Sequence, residues 1–158
     1  MLPQGKKLSV GAMRARRYVP SCPFCRIAAH EEPAALVYED DAFVAFMDKN
    51  PVSEGHVLVA PKDHYEAIFD MPLELAGKLF ELAARIARAV WAALKPDGLN
   101  LLQNNGPAAW QSIPHVHVHV IPRRYGDAIS VRWPAKHGEP EELMAIAEEI
   151  KKALEGCV

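Results

Sequence analysis

Residues Pro114 to Arg123 read PHVHVHVIPR, and this alternation constrains the fold more than any other stretch of the chain. Side chains of an extended strand point to opposite faces in turn, so His115, His117 and His119 share one face. Val116, Val118 and Val120 take the other, where β-branched side chains pack well on a helix. A strand over 115–121 is therefore expected, with one apolar face and one face of imidazoles. Threonine or lysine would solvate a polar strand face as well as histidine does. Three of the chain's seven histidines in one row point instead to chemistry. Two readings follow: the imidazoles hold one metal ion together, or they divide the work, one as nucleophile and another handling protons.

What surrounds this strand sets the fold class. ALVY and AFVAFM are short apolar runs split by Glu39-Asp40-Asp41, the pattern of a hairpin, and HVLVAP is a third strand that Pro61 ends. From Pro72 to Leu94 the period changes to 3.6, with Leu75, Leu79, Leu82, Ile86, Val90 and Leu94 on one face. Pro72 suits a helix start, and Lys95-Pro96-Asp97-Gly98 stops it. LNLLQN predicts another strand, and Glu139 to Leu154 a final amphipathic helix. Strands clustered around one long helix predict an α+β domain with a mainly antiparallel sheet. At 158 residues, half of them hydrophobic, the chain reads as one domain able to bury its own core.

Charge narrows the function classes. The formal net charge of −2 gives no electrostatic case for nucleic-acid binding by the body of the protein. Residues 1–20 hold Lys6, Lys7, Arg14, Arg16 and Arg17 and no acid, which predicts a disordered basic arm. No apolar run is long enough for a membrane span, so the expectation is a soluble cytoplasmic protein. Cys22 and Cys25, in CPFC, sit too close for a usual structural disulfide. In a reducing compartment that spacing predicts metal binding or redox work, and Cys157 reads as a bystander thiol. Directly before the histidines, NNGPAAWQS offers the amide, hydroxyl and backbone N–H groups that a phosphate oxygen needs.

HVHVHVIPR preceded by WQSIP resembles the histidine triad (HIT) family, whose signature is His-x-His-x-His followed by apolar residues. CPFCRI, VYEDDAFVAFMD, NPVSEGHVLVAPKDH and GLNLLQNNGPAA resemble further family segments in the same order. The likeness covers residues 21–127, leaving 128–158 as a C-terminal extension with a helix. It implies a HIT-like domain that forms homodimers by joining sheets and packing the long helix. It also implies hydrolysis or transfer of nucleoside monophosphates from phosphoramidates or dinucleoside polyphosphates, with an AMP-type purine nucleotide as substrate.

By the same resemblance His117 is the nucleophile, His119 bonds the phosphate or leaving group, and His56 is the family's fourth histidine. Asp48 would bind the ribose hydroxyls, and Asn104, Gln111 and Ser112 would cradle phosphate. Phe24, Ile27 and Phe46 are candidates for the slot around the base and equally for the core. Members with the Cys pair use equivalents of His64 and His115 as partners, which assigns Cys22, Cys25, His64 and His115 to structural zinc. Trp110 departs from the pattern, standing where the family usually has glycine. An indole follows a glycine-only backbone poorly, so either the loop takes another path or Trp110 reaches into the site or a partner surface. Trp133 is a candidate to approach a neighbour's site. A pocket kept for binding alone, in a regulatory or scaffold protein, is the alternative to an enzyme.

Overall fold

The computed structural model describes residues 15–130 and 134–157. The expected basic arm lies outside the described residues as far as position 14, and so does Trp133. The chain divides into two compact units, Met1–Asp127 and Ala128–Val158.

In the first unit, α1 (Pro23–Ala28) leads into the hairpin of β1 (Leu36–Glu39) and β2 (Phe43–Met47), and β3 (Val57–Pro61) follows. Next come α2 (Leu73–Leu94), β4 (Gly98–Gln103) and β5 (Val118–Arg123). The strands form one antiparallel sheet in the order β1-β2-β3-β5-β4. The periodicity placed α2 within a residue of its observed start. Its stripe of Leu79, Leu82, Ala83, Ile86 and Val90 is buried against Val57 and Val59 of β3 and Val116, Val118 and Val120. Lys95 ends the helix in a left-handed conformation (φ 46°), with Pro96 directly behind it.

The opposite sheet face carries a second apolar cluster. Cys22, Phe24, Cys25, Ile27 and Ala28 of the α1 segment pack on Val44, Phe46, Leu58 and Ala60. The sequence reading assigned no element to α1. Its signals are nonetheless present: the Cys22 side chain caps the helix by accepting from the Cys25 N–H, and Pro23 occupies the first turn.

One strand is displaced. The sequence predicts a strand over 115–121, whereas the ladder of β5 runs from Val118 to Arg123. Pro114 has no N–H to donate, the His115 N–H turns back to the Ile113 carbonyl (2.8 Å), and the Val116 N–H goes to the Tyr65 carbonyl (2.7 Å). His115 and His117 therefore precede the ladder, and only His119 lies within it, opposite Leu58 and Leu102. The alternation of faces still holds across the segment, because the three valines stay on the α2 side.

In the second unit, α3 (Pro140–Glu155) matches the expected C-terminal helix within a residue at each end. Leu143, Met144, Ile146, Ile150 and Leu154 are exposed on it.

Candidate active site and metal centre

Between α1 and the histidine face lies a cavity of about 450 Å³. Phe24, Ile27 and Phe46 line its apolar side, and Asp48, Ser112, His117 and His119 supply polar groups. The three apolar residues are at once core and wall, since they also belong to the buried cluster under the sheet. Asp48 follows β2 directly, and its Oδ1 accepts from the Asn50 N–H (2.8 Å), which fixes the carboxylate at the cavity wall. Leu58, Ile113 and Lys49 also line the cavity and were not singled out by sequence. For Leu58 a signal existed, since strand alternation puts it on the face that Val57 and Val59 do not take.

The hydrogen bonds fix where each imidazole carries its proton. A carbonyl oxygen only accepts, so His117 donates through Nδ1–H to the His115 carbonyl (2.7 Å), leaving a lone pair on Nε2. A backbone N–H only donates, so His56 accepts at Nδ1 from Val52 (3.3 Å). Neutral His56 then carries its proton on Nε2 and donates to His119 Nδ1 (2.9 Å). His119 in turn holds its own proton on Nε2. Asp48 Oδ2 stands 3.6 Å from His56 Nδ1. The neighbouring rings of His117 and His119, 4.8 Å apart between centroids, thus offer one acceptor and one donor nitrogen.

Burial keeps these rings neutral. It lowers the pKa of His117 and outweighs the opposing effects of the His115 carbonyl and Asp48. For His119, burial and then the repulsion of His117 and His56 push it down to about 4. His56 is lowered by burial as well, against the pull of Asp48.

Cys22, Cys25, His64 and His115 bring one ligand atom each to within 4.8 Å of one another. Cys22 Sγ lies 3.3 Å from His115 Nδ1, and Cys25 Sγ lies 3.6 Å from the same nitrogen and 3.4 Å from His64 Nδ1. A tetrahedral zinc ion with ordinary Zn–S and Zn–N bonds separates its sulfur and nitrogen ligands by about 3.6 Å, so the donor set fits that ion. His115 Nε2 donates to the Pro61 carbonyl (2.8 Å), which directs the Nδ1 lone pair at the thiols. Phe24, between the two cysteines, sets its ring edge-on to both His115 and His117, at 5.7 and 5.0 Å.

Two expected phosphate ligands stand apart from this cavity. Gln111 is engaged by its own loop and by the segment after β3, accepting from the Gly106 N–H (2.7 Å) and donating to the Glu66 carbonyl (2.6 Å). Asn104 is not among the cavity's lining residues, and its carbonyl accepts from Gln103 Nε2 (3.1 Å). Trp110 adopts the glycine-like conformation after all, with φ 66° at the end of the short turn Pro107–Ala109. Its indole is 73% exposed.

The HIT domain family model matches residues 29–126, and the chain belongs to this family. It is 43% identical over 137 residues to "Protein hit" of Bacillus subtilis, covering 85% of this chain and 94% of that one. It is 37% identical over 137 residues to an adenosine 5'-monophosphoramidase of Saccharomyces cerevisiae, covering 86% of this chain and 84% of the relative. Among solved structures, a zinc-bound histidine triad family protein from Mycobacterium smegmatis matches with TM-score 0.66 and 38% identity, over 84% of this chain and 97% of that chain.

Proposed function

We propose that this protein is a nucleotidyl hydrolase or transferase acting at the α-phosphate of nucleoside phosphoramidates or dinucleoside polyphosphates. The observation that carries this reading is the His117 tautomer: its Nδ1–H is spent on the His115 carbonyl, so Nε2 is an unprotonated nucleophile at a cavity wall. Nε2 attacks the α-phosphorus and the bond from phosphorus to the leaving nitrogen or oxygen breaks; His119 Nε2–H hydrogen-bonds the departing group, which takes its proton from solvent. Water then attacks the nucleotidyl-histidine, its proton passing to solvent, and the nucleoside monophosphate is released from His117 Nε2. Asp48 accepts from the ribose hydroxyls, and Phe24, Ile27 and Phe46 enclose an AMP-type purine base. Ser112 donates to phosphate, and Asn104 and Gln111 join only if their loop rearranges around the substrate. The yeast relative is an adenosine 5'-monophosphoramidase, which supports a nucleoside phosphoramidate as one substrate.

Cys22, Cys25, His64 and His115 are read as the zinc ligands, with His115 tying the strand to the metal while His117 and His119 act on phosphate. A closed four-ligand zinc supplies cross-linking and no open coordination position. Reduced thiols of this kind suit a cytoplasmic setting. A homodimer is supported by the outer edge of β4 and by Leu73, Phe80 and Trp91, which α2 exposes to solvent.

The test is to incubate wild type and His117→Ala with adenosine 5'-phosphoramidate and with diadenosine tri- and tetraphosphate, separating products by chromatography. AMP should appear with wild type and fall at least 1,000-fold in the variant, the scale expected when a nucleophile is removed. AMP binding by both proteins without product from either would overturn the enzyme and leave a nucleotide-binding regulatory or scaffold pocket.

A further inference from the structure

The segment that enters the fold ahead of CPFC does more than connect. Arg17 pairs with His64 along the backbone: the His64 N–H donates to the Arg17 carbonyl (2.9 Å), and Arg17 Nε donates to the His64 carbonyl (2.9 Å). The Arg17 N–H is held by Asp63 Oδ1 (2.8 Å), and its guanidinium lies over the Tyr65 ring at 4.5 Å. Two residues on, the Val19 N–H points at Cys25 Sγ (3.5 Å), and the Val19 carbonyl accepts from the Cys22 N–H (3.0 Å). This short run thus grips both sides of the donor set, the cysteine turn through Val19 and His64 through Arg17. All of it lies ahead of residue 29, where the match to the family model begins.

We propose that Arg17 is a positioning residue for the metal, and that residues 15–19 are a strap which holds His64 and Cys25 in ligating geometry and slows the ion's escape. The inference rests on the zinc reading given above. His64 follows β3 on a loop and is only partly buried, so its ring direction depends on what fixes the backbone on either side of it. Arg17 bonds that backbone at both the N–H and the C=O, leaving the ring facing Cys25 Sγ (3.4 Å). A backbone N–H aimed at a thiolate lowers the charge that sulfur must otherwise place on the metal or on water. Losing the Arg17 contacts opens the coordination sphere from the His64 side while all four ligand residues and His117 stay in the chain. Arg16, whose guanidinium donates to the Ala28 carbonyl (3.3 Å) and, among the described residues, to no ligand of the donor set, provides the internal comparison.

The experiment is zinc transfer from the zinc-loaded, untagged protein to a chromophoric chelator, after zinc content has been measured. Four proteins are compared: wild type, Arg16→Ala, Arg17→Ala, and the chain lacking residues 1–18. Arg17→Ala should release zinc about tenfold faster than wild type and the truncated chain faster still, with Arg16→Ala within twofold of wild type. Amide exchange should rise around residues 60–66 in Arg17→Ala while the sheet stays protected, which separates a loosened ligand from a globally weakened fold. Equal release from wild type, Arg17→Ala and the truncated chain would sink the strap and leave the zinc reading intact. Faster exchange across the whole sheet in step with faster release would also sink it, making Arg17 a general stabiliser. No zinc in the wild-type protein would overturn both readings.

Discussion

His117 and His119 are two positions apart, yet their neighbours give them opposite proton inventories. A carbonyl takes the proton of His117 at Nδ1, and His56 supplies one to His119 at the same atom. Burial depresses both pKa values, that of His119 to about 4. His117, the proposed nucleophile, therefore stays unprotonated below the ordinary imidazole value of about 6.5. The acid limb of the kcat/KM profile should fall below that value, and a limb at 6.5 or above would contradict the buried geometry. Stability should move in the same sense. The unfolded chain takes up these protons as pH drops through about 6.5, whereas the folded form takes them up at lower pH, near 4 for His119. Urea midpoints should accordingly fall between those two values and level off below them. The histidine row was legible in the sequence. The tautomers were not, because they depend on Val52 and on a carbonyl that only the folded backbone brings into reach. Trp110 shows the converse: the sequence marked the glycine-like position, and the fold seats an indole there by leaving the ring in solvent.

Among the elements, α2 carries the core. Leu79 is fully buried between the sheet and its helical neighbours, so Leu79→Ala should cost about 2–5 kcal/mol, read from the shift of the denaturation midpoint at constant slope. A loss well under 1 kcal/mol would mean that this face packs loosely. Helix α2 was plain in the sequence because six apolar residues recur at helical spacing over 22 residues. Helix α1 was not, because six residues are too few for periodicity to register, and its cap is a cysteine rather than a serine or aspartate. The strand carrying the histidines was displaced for a related reason. Alternation reports which way side chains point, and it says nothing about where a ladder of backbone hydrogen bonds begins.

On the scale of the whole molecule, β4 leaves one edge unpaired among the described residues, and α2 turns Phe80 and Trp91 outward. Sedimentation equilibrium should give a dimer for wild type and a mass near one chain for Trp91→Glu, because a carboxylate buried in an apolar seam has no partner. A variant that remains dimeric would place the interface elsewhere. The sequence by itself determined the family, the α+β class and the long helix, since each of these is written in local spacing and residue type. Only the tertiary structure decided which nitrogen of each imidazole is free, and it brings Cys22, Cys25, His64 and His115, which the family resemblance had already grouped, to within 4.8 Å of one another. It also decided that Gln111 is engaged by its own loop and by the segment after β3. Such facts are set by the path of the folded backbone, some through neighbours two to five residues away and some through residues far apart in the chain, and the spacing of residue types does not encode that path.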